Sequence, residues 1–316
     1  MIQLLLLLAL QDEAALRDAV KRTLPLLQQS VAEYAENRSC FSCHHQTYPI
    51  IALTTAKLHG FKIDERRLDD AIDFTARSLS KGKADYLKGK GQGGQVDTAS
   101  SGLWTLAVSG WKADDMTGIV AGFLAETQQK NPYWSPTSKR PPLEQSLFTS
   151  TAMTIRALKD YGTAAQKPAI DARIEKAKAW LSATKPADTE DLVSRLRAMS
   201  YCGMDVKDAV RDLVEARRED GGWAQLKTLE SDAYATASAL VALHEAGGMP
   251  TTDEVYKRGL KYLFATQKED GSWHVKTRSK PVQAYFESGF PHEKDQFISI
   301  SATAWAVTAF ALACPK

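Results

Sequence analysis

The 316-residue chain reads as all-α, a closed ring of about six helical hairpins with inner and outer helices, and three observations predict this. Apolar residues recur at three- and four-residue steps with charge on the opposite face, the period of a helix that buries one stripe. Two kinds of helical stretch alternate, one rich in Ala, Ser and Thr around its whole circumference and one two-faced. Five of the six small-residue stretches end at or just before a glycine that can close a helix. A helix with small residues on every side packs closely on both flanks, and a two-faced helix shields it from water, so the alternation predicts a ring.

Composition suits a large single core: 44% of residues are hydrophobic and 25% charged. Forty basic against thirty-eight acidic residues leave a net charge of +2, with Lys and Arg scattered through helical segments, which argues against a nucleic-acid partner.

Taken in order, the chain opens with an apolar run over residues 2–10, too short to span a bilayer and matching the apolar core of an export signal. Residues 1–11 are therefore expected to be a signal peptide, 12–38 an N-terminal helix and 39–316 the ring, in an exported protein without a transmembrane span. The expected inner helices are "TYPIIALTTAKLHG", "DTASSGLWTLAVSG", "LFTSTAMTIRALKDYG", "EDLVSRLRAMSYCG", "DAYATASALVALHEAGG" and "ISISATAWAVTAFALA". Between them the two-faced stretches "DERRLDDAIDFTARSL", "DDMTGIVAGFLAETQQ", "AIDARIEKAKAWLSAT", "VKDAVRDLVEARRED" and "TDEVYKRGLKYLFATQ" supply outer helices. Of the loops, residues 81–95 are flexible by composition and 131–142 stiffer and aromatic.

In such a ring all inner helices run the same way, so their N-termini share one rim. That rim would gather the cysteine- and histidine-rich stretch before the first inner helix, then Asp97, Ser146, Glu190 with Asp191, Asp232 and Asp295. Each acid or Ser, taken singly, reads as an N-cap or first-turn residue.

The stretch "RGLKYLFATQKEDGSW", residues 258–273, resembles the QW repeat of squalene and hopene cyclases through its basic residue, Gly259, Tyr262, Leu263, Gln267, Gly271 and Trp273. A weaker copy is "DLVEARREDGGW", where Arg217 stands in place of the Gln. On these residues the chain, from residue 39 on, resembles the α/α-toroid superfamily of terpenoid cyclases and protein prenyltransferases. Read physically, Gln267 satisfies helix-end groups and Trp273 covers the junction between hairpins, both for stability. The resemblance implies a buried acid at an inner helix start; "DTED" stands where that family has Asp-x-Asp-Asp, which places Glu190 at the acid position, with Asp295 a second catalytic candidate. The prenyltransferase zinc set of Asp, Cys and His finds no match at Cys202, which lies at the wrong end of its helix and reads as a small buried residue.

The stretch "CFSCHH" forms C-x-x-C-H from Cys40, Cys43 and His44, two thiols spaced for the vinyl groups of one porphyrin and an imidazole for its iron. With the export signal, this predicts one c-type haem on Cys40, Cys43 and His44, with His292 as sixth ligand and His45 as second choice. The expected function is electron transfer to a redox partner protein or a haem-dependent redox step. Three alternatives stand beside it: a cyclase-type enzyme using Glu190 on an apolar molecule in the cavity, a binding scaffold, and a thioester between Cys43 and Gln46. A Cys40–Cys43 disulfide also fits an oxidising compartment, whereas zinc lacks a second ligand pair at hairpin spacing. Trp104, Trp305 and Phe148 suit an apolar cavity or core, and His59, His244 and His274 read as structural.

Overall fold

The computed structural model describes residues 2–280 and 287–316, with side chains from residue 13 onward. In chain order the helices are α1 (Ile2–Asn37), α2 (Tyr48–Leu58), α3 (Glu65–Lys81), α4 (Lys83–Leu87), α5 (Val96–Val108), α6 (Asp115–Glu126) and α7 (Leu147–Tyr161). They continue as α8 (Lys167–Ala183), α9 (Thr189–Tyr201), α10 (Lys207–Glu215), α11 (Ala233–Glu245), α12 (Glu254–Thr266) and α13 (Gln296–Ala313). Among the described residues there is no strand, only the isolated bridges Arg140–Glu144 and Trp223–Asp232.

The small-residue helices α2, α5, α7, α9, α11 and α13 pack each on the next, and α13 returns to α2, closing the ring. Their Ala, Ser and Thr side chains permit this: on α11 and α13 nearly every residue is buried, whichever way it faces. The two-faced helices α3, α6, α8, α10 and α12 lie outside, and α1 takes the sixth outer place against α2, α3 and α13. Helix α13 is apolar and long enough to cross a membrane, with mean hydropathy 1.4 over its window, but 83% of that window is buried inside the ring.

Helix α1 runs unbroken from Ile2, although the side chains of residues 2–12, which carry the expected export signal, lie outside those described. The segment 81–95, expected to be a flexible loop, contains α4, whose Tyr86 is buried against Phe123 at 5.2 Å between ring centroids. Residues 281–286, ahead of His292 in the chain, lie outside the described residues.

Three tryptophans fix the ring by one device. The indole N–H of Trp273 donates to the Leu263 carbonyl at 2.7 Å, that of Trp223 to Leu213 at 2.8 Å, and that of Trp134 to Leu124 at 2.8 Å. Each satisfies an orphan carbonyl near the end of an outer helix. The backbone N–H of the same three residues donates to a threonine of the adjoining inner helix, Thr303, Thr236 and Thr151 at 3.0, 2.9 and 3.1 Å. The third copy is hidden in the sequence because "QQKNPYW" lacks the Gly before its Trp, yet Gln128 precedes Trp134 by the six residues that separate Gln267 from Trp273. Gln267 donates to the Ala19 carbonyl at 3.2 Å and to Thr23 Oγ1 at 3.0 Å, so the full repeat ties the last outer helix to α1. Gly271, at φ 85°, passes so close to that helix that a Cβ would stand 2.9 Å from the Arg22 carbonyl oxygen.

Candidate active site

The run "DTED" opens α9, and its four residues divide the labour. Asp188 is the N-cap, accepting from the Asp191 N–H at 3.0 Å. Asp191 accepts from the Ser146 hydroxyl at 2.6 Å and the Ala187 N–H at 3.0 Å. Glu190 is therefore released from capping and turns into the ring, where it is 6% exposed. Its Oε1 accepts from Thr149 Oγ1 of α7 at 2.6 Å and its Oε2 from the Tyr234 hydroxyl of α11 at 2.8 Å. Burial raises the Glu190 pKa above the usual carboxylate range, opposed by these two donors and supported by the nearby Asp188 charge.

Glu190 faces a cavity walled by Tyr48, Trp104, Trp305, Tyr234 and Arg197. Its enclosed volume is about 20 Å³, room for about one water. A second cavity of about 400 Å³ opens at the C-terminal ends of α2, α5 and α11, beside Leu58, Val108 and Glu245. Trp104, Arg156, Arg197 and Tyr201 line both and so partition them. The Arg197 guanidinium lies over the Trp305 ring at 4.4 Å and near Trp104 at 5.9 Å. Trp104 and Trp305 thus form cavity wall, while Phe148 packs away from it against Trp180 at 4.5 Å. Thr149, Tyr234, Tyr48 and Arg197 carried no signal in the sequence, since each is an ordinary helix residue until the ring closes.

The remaining rim residues separate into caps and others. Ser146 and Asp232 cap α7 and α11 through Thr149 and Ala235 N–H groups. Asp97 caps nothing: it accepts from Ser150 Oγ at 2.8 Å and the Thr137 N–H at 3.3 Å, and burial pushes its pKa up to about 6. Asp295, the second catalytic candidate, holds the segment after Trp273, accepting from the Thr277 N–H at 2.9 Å and meeting His274 Nε2 at 2.8 Å. His59, the C-cap of α2, bonds the Cys314 carbonyl and His244, in the last turn of α11, bonds the Met249 carbonyl, each at 2.8 Å. Cys202 caps the end of α9.

The stretch 43–47 winds as a short π-helix before α2, with Ser42 as its cap. His44 is buried, its Nδ1 3.3 Å from Cys43 Sγ, and its ring meets Phe297 edge-on at 5.8 Å. Cys43 Sγ lies 3.4 Å from Glu144 Oε1, a residue the sequence gave no reason to single out. Burial lowers the His44 pKa to about 4, so this imidazole is neutral. His45 is fully buried between Tyr34 and Phe297. Cys40 is exposed, its Sγ 3.7 Å from the Tyr34 hydroxyl.

The His44 imidazole, the expected proximal ligand of a haem on Cys40 and Cys43, is enclosed by Cys43, Glu144 and Phe297. His292, the expected sixth ligand, is bonded to Ser272 Oγ at 2.7 Å and stacked on His274 at 4.6 Å, so it belongs to the Trp273 junction. The Gln46 amide donates to the Val31 carbonyl at 3.5 Å, and Cys40, Cys43, Cys202 and Cys314 stand as free thiols.

Segments of the chain are similar to known proteins. A segment of 101 residues is 34% identical to lanosterol synthase erg7A of Aspergillus fumigatus, covering 32% of this chain and 12% of that protein. Another of 82 residues is 37% identical to drimenyl diphosphate synthase of Streptantibioticus cattleyicolor, covering 26% of this chain and 14% of that one. The matches therefore span under one sixth of these curated relatives. Among solved structures, the apo type II terpene cyclase MstE from Scytonema superposes with a TM-score of 0.58 at 15% identity, over 94% of this chain and 98% of that one. A protein from Actinoplanes gives 0.59 at 14% identity, over 96% and 99%. No protein-family model matches the chain. The fold is terpene cyclase-like, and the expectation of haem-based electron transfer is overturned by relatives and structural neighbours that are terpene cyclases.

Proposed function

We propose that the chain is a terpene cyclase-type enzyme in which the Glu190 carboxyl protonates a carbon–carbon double bond of an isoprenoid in the central cavity. The observation that carries this reading is Glu190 itself, buried at an inner helix start, raised in pKa by burial and facing aromatic walls. The Glu190 O–H proton moves to one alkene carbon, the π electrons form the new C–H bond, and a cation is left on the neighbouring carbon for the next double bond to capture. The carboxylate produced is held by Thr149 and Tyr234, already 2.6 and 2.8 Å away. Tyr48 and Tyr234 offer ring faces to the cation. Arg197, stacked on Trp305, favours the ionised Glu190 that proton transfer leaves behind.

A cavity of about 20 Å³ holds no isoprenoid, so binding must displace the Trp104–Arg197–Tyr201 partition and join the inner space to the chamber of about 400 Å³ beyond it. The apolar run at residues 2–10 supports export of the chain, and N-terminal sequencing of protein recovered outside the cytoplasm tests that part. The central test is Glu190→Gln, which keeps shape and removes the acid. Conversion of a polyprenyl substrate, followed by mass spectrometry of the products, is expected to fall by about 10²–10⁴-fold with little change in melting temperature. Undiminished product formation by the variant removes Glu190 from the chemistry.

A further inference from the structure

We infer that Cys43, His44 and Glu144 form a binding site for one divalent cation of the zinc class, with the fourth position open to water or another exogenous donor. The three donor atoms converge: Cys43 Sγ to His44 Nδ1 is 3.3 Å, Cys43 Sγ to Glu144 Oε1 is 3.4 Å and His44 Nδ1 to Glu144 Oε1 is 4.0 Å. A point equidistant from atoms at these separations lies about 2.1 Å from each, and zinc bonds to N, O and S run from about 2.0 to about 2.3 Å. The donors need little movement to enclose an ion.

Donor chemistry selects the metal. One thiolate, one imidazole and one carboxylate match zinc, while magnesium and calcium want oxygen alone. As the cation binds, the Cys43 S–H proton leaves to solvent and the S–metal bond takes its place. A thiolate and a carboxylate then cancel the double positive charge, which makes a buried ion tolerable. Burial differs among the three: His44 and Glu144 are buried and Cys43 is only partly so, which leaves the cysteine side for access and for the fourth donor.

The carboxylate is already oriented. Glu144 Oε2 accepts from Arg140 Nε at 2.6 Å and from the Ser138 hydroxyl, which leaves Oε1 aimed at Cys43 and His44. Paired backbone bonds between Arg140 and Glu144, each 3.1 Å, fix the loop that carries it. Such outer partners set the direction of metal ligands and tune affinity. The site lies on the rim shared by the inner helix starts, separate from the proton donor Glu190, and it stands whether or not the chain turns over an isoprenoid.

Cobalt(II) titration of the full, reduced chain tests this, because cobalt takes zinc sites and reports a bound thiolate by a near-ultraviolet charge-transfer band. One equivalent is expected to bind with that band and with the visible transitions of a four-coordinate ion, and added zinc should displace it. Cys43→Ser should abolish the band, and Glu144→Gln should weaken cobalt affinity by at least about 10-fold, with the tryptophan near-ultraviolet circular dichroism retained in both. Absence of the band in the unaltered chain overturns the site, as does a band that survives Cys43→Ser, which would place the ion on another thiol. Unchanged affinity in Glu144→Gln removes the carboxylate from the set and overturns it equally.

Discussion

The Trp junctions and the rim of the inner helix starts are built from the same helices at opposite tasks. At Trp134, Trp223 and Trp273 every indole N–H meets a backbone carbonyl and every backbone N–H meets a threonine, so the polar groups are used up in holding helix ends. At the rim, Asp188 and Ser146 perform the capping, and Glu190, Asp97 and Glu144 are left buried with side chains facing other side chains. The difference teaches where chemistry can reside: a helix end with a dedicated cap frees its neighbour for another role.

The comparison breaks most visibly at the tryptophans. Trp134→Ala, Trp223→Ala and Trp273→Ala are each expected to lower stability by about 3–5 kcal/mol in urea unfolding, the cost of truncating a well-buried large aromatic. A much smaller loss at Trp134 alone would mean that the third junction is only a geometric likeness.

Rim carboxyls should respond to pH where the junctions do not. The pKa of Asp97 is raised from 3.8 to about 6 by burial, so its contribution is fully present below the unfolded value and is lost as pH rises through about 6. Relative to Asp97→Asn, the native chain should lose on the order of 3 kcal/mol between pH 4 and pH 7. Parallel stability profiles for the two proteins would show that Asp97 does not titrate as its burial implies.

Tyr234→Phe sharpens the rim reading further. Its hydroxyl favours the ionised form of Glu190, so removal should raise the Glu190 pKa again. In the proposed reaction turnover requires the protonated acid and falls as pH rises through that pKa, so the alkaline limb should move to higher pH. An unmoved limb detaches either Tyr234 or Glu190 from the step that limits the rate.

The smallest effect is expected at the repeat glutamine. Gln267→Ala removes its bonds to Ala19 and Thr23 in α1 and should cost about 1 kcal/mol with turnover intact, since the bonds are partly exposed and water can replace them. A loss as large as that of Trp273→Ala would make ring closure on α1 depend on the amide more than on the aromatic anchor.

Much of the architecture was legible because helical period, small-residue composition and turn glycines are local properties. Inner and outer helices, the closure of the ring and the structural character of Gln267 and Trp273 all follow from residues close together in the chain. The Asp-x-Glu-Asp run also placed Glu190 at an inner helix start, and the fold puts it in the cavity. Cys40, Cys43 and His44 are less legible, for the opposite reason. Their spacing satisfies a short pattern, but the pattern contains nothing about Glu144, a hundred residues away, or about Phe297, which closes over the imidazole. Whether a buried carboxylate becomes a cap, an acid or a metal donor depends on which hydroxyls, guanidinium and thiol reach it from other helices. Local propensity determined the hairpins; only closing α13 onto α2 brought Tyr48 beside Trp305, as only the ring set Tyr234 beside Glu190 and Cys43 beside Glu144, because these pairs meet across the ring rather than along the chain.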